Sequence, residues 1–139
     1  MMREAKAPAA KERPLSPHFQ VYRWMLTMTM SIVHRVTGVG LYFGSLLLAW
    51  WLIAAASGPN AYARVQWFMG TAIGLLLLFG YTWALLHHML GGIRHLIWDI
   101  GYGFGPSERE WLTAANLVGS IGLTILLWVL GYFVIGGAR

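Results

Sequence analysis

The chain has 139 residues, of which 58% are hydrophobic and 11% charged, with a formal net charge of +5 and no cysteine. The lack of cysteine excludes disulfides, thiolate metal ligands and an iron–sulfur cluster held by this chain alone. The positive charge flanks three long apolar segments, which favours orientation in a lipid bilayer over nucleic-acid binding, so we expect no nucleic-acid partner.

Residues 1–25 are predicted to form an N-terminal arm and an interfacial segment. Residues 1–13 are rich in Ala, Lys and Glu, and Pro14 and Pro17 then interrupt any helix. The first apolar run begins well behind the basic start, unlike that of a signal peptide, which predicts a retained span. The arm is not the arginine-rich, acid-poor segment of a mitochondrial precursor, which favours a bacterial inner (cytoplasmic) membrane over a mitochondrial one.

Residues 26–139 are predicted to form one all-α membrane domain with three transmembrane helices. Apolar runs longer than about 18 residues are typical of helices that cross a bilayer. The spans are expected at about 29–56, 65–92 and 111–136.

Two turn signals separate the predicted spans. Ser57-Gly58-Pro59-Asn60 lies between the first and the second, and residues 101–106, rich in glycine, lie between the second and the third. Ser107, with Glu110 three residues later, resembles a capping box that starts the third helix. Lys and Arg are concentrated before the first span and in the second connection, which predicts that the N-terminus lies inside.

The second span places two neighbouring histidines on different faces. Ala84, His88, Gly92 and His95 share one stripe, because residues three or four apart lie on one side of a helix. Small residues one turn before and after His88 leave room for a flat ligand such as a porphyrin. His87 is turned about 100° away. The alternative is that these histidines only hydrogen-bond a neighbouring helix.

A haem held by two histidines also needs a ligand on its opposite side. The third span has no histidine, and His34 lies at the edge of the first. Unless His34 serves, the second axial ligand must come from another chain.

The first span begins with a polar pair, Ser31 and Arg35, one helical turn apart. A hydroxyl and a guanidinium at the hydrocarbon border can bind the carbonyl group of an apolar ligand, or Arg35 can pair with an anionic group. Alternatively, Arg35 extends to lipid phosphates and Ser31 bonds its own helix backbone.

Two sequence blocks together resemble a known family. The first comprises Arg13-Pro14-Leu15-Ser16-Pro17-His18, Tyr22-Arg23 and Ser31-Ile32-Val33-His34-Arg35-Val36-Thr37-Gly38, and the second comprises His88 and Gly92-Ile93-Arg94-His95-Leu96-Ile97-Trp98-Asp99. In this order, on three spans, they are similar to the cytochrome b large membrane-anchor subunit of succinate dehydrogenase, the respiratory complex II.

The resemblance implies a hetero-subunit helix bundle that binds haem b together with a second membrane-anchor subunit. It implies an iron–sulfur subunit and a flavoprotein subunit as further partners, with ubiquinone as substrate and no catalysis by this chain alone. By position, His88 matches the axial ligand of the haem iron. Ser31 and Arg35 match the quinone pocket, and the surroundings of the haem are matched by His34, Arg94 and His95. The His87-His88 doublet departs from the family pattern and leaves His87 as the alternative ligand.

Two other functions are compatible with the residues alone. One is a haem-free structural anchor of a related succinate dehydrogenase or fumarate reductase complex. The other is a small transporter or channel, which requires polar residues along the spans. The third span is expected to offer only Thr124 near its middle, which argues against a channel.

Overall fold

The structure is a computed structural model and describes residues 23–136. The first 22 residues of the predicted arm and residues 137–139 lie outside the described residues. The described chain forms α1 (Leu26–Ser57), α2 (Pro59–Met69), α3 (Ala72–Asp99) and α4 (Pro106–Gly136), with no strand among them. Three helices, α1, α3 and the Pro106–Val134 part of α4, are long and apolar enough to cross a membrane. The predicted all-α fold with three spans is confirmed, whereas the inside position of the N-terminus stays a prediction.

The first connection contains a helix that the sequence did not predict. α1 ends at Ser57, Gly58 adopts a φ of 113° that favours glycine, and Pro59 starts α2. α2 ends at Met69, and the Thr71 side chain accepts a hydrogen bond from the Gly74 N–H at 3.1 Å to cap α3.

The second membrane helix therefore runs from Ala72 to Asp99 rather than over the expected 65–92. The cap at Thr71 lies inside an apolar run, where the composition alone gives no signal of a break. At its other end, α3 continues through Arg94 and His95, because charged and polar side chains do not end a helix even where they suggest the end of a hydrophobic span.

The start of α4 corrects the predicted capping box. The Gly105 N–H donates to a carboxylate oxygen of Glu108 at 3.0 Å, so the glutamate that reaches back is Glu108 and not Glu110. Pro106 accounts for this register, because its fixed φ and missing N–H suit the first position of a helix. Ser107 therefore lies within the first turn and is not its cap.

Of the three membrane helices, α3 is the central one, and it packs against both α1 and α4. α3 and α4 are antiparallel, since Arg94 bonds Thr113 near one end and the Phe79 and Trp128 rings lie 5.3 Å apart near the other. A small apolar core of Ala54, Val65 and Met69 joins α2 to the end of α1. Many large apolar side chains of α1 and α4 are exposed, as a surface that faces lipid or other subunits requires.

Candidate functional site

The imidazole of His88 is held by the backbone of α1. Its Nδ1 lies 3.1 Å from the carbonyl oxygen of His34 and 3.5 Å from the hydroxyl of Thr37. The Thr37 hydroxyl itself donates to the same carbonyl at 2.9 Å. Because a carbonyl only accepts, Nδ1 of His88 is the donor in this bond, and in the neutral imidazole the lone pair then lies on Nε2. A histidine that ligates a metal is commonly oriented in this way, by a hydrogen bond from its other nitrogen.

The surface around His88 is built from small residues. A Cβ on Gly38 would lie 2.9 Å from His88 Cε1, so this glycine allows the ring to approach α1 closely. A Cβ on Gly92 would have no neighbour within 4 Å in the described chain. Next to Ala84, an open groove of about 310 Å³ continues between α1 and α3, where Gly40 and Gly80 form part of its lining. His88 does not line this groove and Ala84 is itself buried, so the room for a flat ligand beside His88 stays a prediction.

Three of the predicted histidines come together at this end of the bundle. The rings of His34 and His88 stack with centroids 3.9 Å apart and planes inclined by 6°. The ring centroid of His95 lies 5.6 Å from that of His34. The nitrogen lone pairs of an imidazole lie in its ring plane, so two parallel, stacked rings do not point nitrogens at one iron between them. In this arrangement His34 is not the opposite axial ligand.

His87 faces α4 and is completely buried. Its Nδ1 lies 3.1 Å from the Ser120 hydroxyl, which donates its own proton to the Leu117 carbonyl and therefore accepts from His87. The remaining nitrogen, Nε2, is buried without a hydrogen-bond partner among the described residues. A porphyrin could reach this nitrogen only if α3 and α4 separated or α3 rotated by about 100°.

Arg94 lies on the face of His87 and is also buried, at 5% exposure. Its Nη1 donates to the Thr113 hydroxyl at 3.0 Å, and its guanidinium carbon lies 5.0 Å from the centre of the Trp98 ring. The hydrogen bond of Arg94 is thus made to α4, and the structure does not bring its side chain onto the His88 face.

Ser31 and Arg35 lie one turn apart on α1, at the end that carries the histidine cluster, and both are exposed. Neither side chain makes a hydrogen bond or an ion pair within the described part of the chain. Both are therefore accessible to a ligand, a lipid or another subunit.

The sequence interpretation missed a polar face on α4. Thr113, Asn116, Ser120 and Thr124 are all buried, so Thr124 is not the only polar residue that this helix offers. Their spacing of three and four residues was the available signal. The three hydroxyls donate to carbonyls of their own helix, at Arg109, Leu117 and Ser120. The hydroxyl groups of this polar face are thus hydrogen-bonded within α4.

Comparisons with known proteins agree on one family. The model of the succinate dehydrogenase/fumarate reductase transmembrane subunit matches residues 9–130. The chain is 43% identical over 114 residues to the succinate dehydrogenase cytochrome b556 subunit of Paracoccus denitrificans, covering 82% of this chain and 88% of the relative. It is 41% identical to the subunit of the same name from Rickettsia felis, covering 92% and 100%. Identity to the mitochondrial cytochrome b560 subunit of Sus scrofa is 38%, covering 85% and 66%.

Proposed function

We propose that this chain, which belongs to the succinate dehydrogenase/fumarate reductase transmembrane subunit family, binds haem b through His88 and contributes to a quinone-reduction site. The chain is a multi-pass bacterial membrane protein, and its relatives are cytochrome b subunits of succinate dehydrogenase. The observation that carries the proposal is the orientation of His88, whose Nδ1 is bonded to the His34 carbonyl while Nε2 keeps its lone pair.

The residues around His88 fit a porphyrin. Gly92, one turn after His88, provides a low surface on which a Cβ would meet no atom within 4 Å, and Ala84, one turn before His88, is small but buried. His88 would supply the axial nitrogen. The Thr37 hydroxyl would hold the His34 carbonyl, which orients the His88 ring, by donating a hydrogen bond to it. When bound, the haem supplies one-electron redox chemistry. His87 fits less well, because its free nitrogen is enclosed between α3 and α4.

A second axial ligand is proposed to come from a partner membrane-anchor subunit. The stacked geometry of His34 and His88 argues against His34 as this ligand. His34 and His95 are instead proposed to line the haem edge, where imidazole N–H groups can donate to its carboxylates. Arg94 joins this set only if its side chain leaves Thr113, and we therefore place it last among the candidates.

Ser31 and Arg35 are proposed to bind the quinone, with ubiquinone as the substrate. The hydroxyl can donate a hydrogen bond to a quinone carbonyl, and the guanidinium supplies fixed positive charge beside it. Electrons would come from an iron–sulfur subunit that receives them from a flavoprotein subunit. This chain would therefore act within a succinate:quinone oxidoreductase and would not catalyse the reaction alone.

The test is a reduced-minus-oxidised visible spectrum of the detergent-purified complex with wild-type, His88→Ala or His87→Ala subunits. We expect the b-type bands to be lost in His88→Ala and to persist in His87→Ala, its matched neighbour. Subunit content is measured in parallel, so that loss of haem is separated from loss of assembly. Bands that vanish only in His87→Ala would reassign the ligand. An assembled wild-type complex without bands would favour the haem-free structural anchor.

A further inference from the structure

A group of buried polar atoms without partners meets between α1, α3 and α4. These atoms are His34 Nδ1, His87 Nε2, Arg94 Nε and both polar atoms of the Asn116 amide. All five lack a hydrogen-bond partner among the described residues. Unpaired polar groups in a membrane bundle are costly, and native proteins satisfy nearly all of them, with ordered water where side chains do not suffice.

The register of the helices brings these groups into one place, which we call the Gly91 layer. Arg94 bonds Thr113 and His87 bonds Ser120, so Gly91 lies opposite Asn116 between the two pairs. The position of a Cβ on Gly91 would be 3.5 Å from the amide nitrogen of Asn116 and 2.5 Å from Nδ1 of His34. Groups from all three membrane helices therefore converge on the same glycine.

The chemistry of the layer selects its ligand. Arg94 Nε–H can only donate, whereas His87 Nε2 can only accept, because the proton of His87 lies on Nδ1. His87 lies one turn before Gly91 and Arg94 one turn after it, so each is about 5–6 Å from the level of Asn116. That distance is too long for one direct hydrogen bond and suits two hydrogen bonds through a bridging molecule. The Arg94 charge disfavours a metal cation, and the imidazole lone pair and the Asn116 carbonyl disfavour an anion.

We propose that the Gly91 layer binds at least one ordered water molecule, with Asn116 as its central protein partner. The water accepts from Arg94 Nε–H or from the Asn116 amide and donates to His87 Nε2 or to the Asn116 carbonyl. Such a molecule links α4 to α3 at the level of His34, the α1 residue whose ring stacks on His88 of α3. None of the contacts of this water involves His88, so the inference does not rest on His88 as the haem ligand, although the layer shares His34 and Arg94 with the residues proposed around the haem.

The first test compares Asn116→Leu with Thr124→Val in the full purified complex. Leucine nearly preserves the volume of asparagine but cannot bind water. Thr124→Val is the matched control, because the Thr124 hydroxyl bonds only its own helix. If the layer is hydrated, Asn116→Leu leaves the other buried groups unpaired, and the thermal midpoint of the complex falls below that of the control. A midpoint equal to or above that of the control would overturn the proposal, because removing a dry, unpaired amide is stabilising.

The second test is direct and needs no variant. A high-resolution structure of the complex is expected to show water density within about 3.2 Å of an Asn116 polar atom. Continuous direct contacts among Asn116, His34 and Arg94, with no density between them, would overturn the proposal. An anomalous peak at this position after replacement of chloride by bromide would also overturn it, since the ligand would then be an anion.

Discussion

Gly91 allows the imidazole of His34 to rest on α3, and Gly91→Ala tests how closely the site depends on that contact. The added Cβ would lie 2.5 Å from Nδ1 and 2.8 Å from Cε1 of His34, well inside normal contact distance. The obstacle is a rigid ring rather than the end of a flexible chain. We therefore expect the ring to move away from α3 and to lose its stacked position on His88.

The magnitude follows from a matched comparison with Gly122→Ala. A Cβ on Gly122 meets no atom within 4 Å, so this variant gains helix propensity without a clash. The propensity gain is common to both variants and cancels in their difference. What remains is the cost of overpacking, about 1–3 kcal/mol against Gly91→Ala. For a unit of this size that unfolds by itself, this corresponds to a midpoint lower by roughly 4–12 °C, and the shift is smaller if the chain unfolds together with its partner subunits.

The assay is thermal unfolding of the detergent-solubilised complex, followed with the two variants under identical conditions. An equal midpoint for Gly91→Ala and Gly122→Ala would refute the close packing of His34 on Gly91. A haem spectrum recorded on the same samples reports whether displacement of His34 also disturbs the proposed site at His88.

Three further predictions concern the proposed sites. A Cβ on Gly92 meets no atom within 4 Å in the described chain, so Gly92→Ala is expected to retain assembly. It is expected to lower the amount of haem per complex in a pyridine haemochrome assay. Full haem content would contradict a porphyrin over Gly92. Thr37→Val removes one of the two side-chain hydrogen bonds to the His34 carbonyl, so that carbonyl should accept more strongly from His88. The haem midpoint potential should then fall in a redox titration, whereas Thr37→Ser should retain the wild-type value. Arg35→Ala should reduce kcat/KM for quinone by about 10- to 100-fold, the loss of one charge-assisted hydrogen bond, while Arg64→Ala in α2 should leave it unchanged; equal effects of the two would argue against a quinone contact at Arg35.

Helical periodicity made the separation of His87 from His88 predictable. Side chains of adjacent residues on a helix always point about 100° apart. The structure adds which neighbouring helix each one faces: His87 faces α4 and His88 faces α1. The stacking of His34 on His88 was not predictable, because it depends on the contact of α1 with α3 through Gly38 and Gly91. The break at Thr71 was missed for another reason: a single capping residue within an apolar run leaves the hydrophobic pattern nearly unchanged. On α4, Thr and Ser are only weakly polar and bond their own helix, so the buried face was signalled only by its spacing of three and four residues, which includes Asn116.

The two adjacent histidines of α3 have different roles, one in packing and one in the proposed ligand binding. His87 is buried, and its bond to Ser120 joins α3 to α4 inside the chain. His88 is only half-buried, and its bond to the His34 carbonyl fixes the ring without occupying Nε2. A ligand nitrogen that is already oriented loses little conformational freedom when it binds, which favours affinity. The chain thus fixes its own half of the proposed haem site through α1 and leaves the facing surface, including Gly92, open to a partner that would supply the other half.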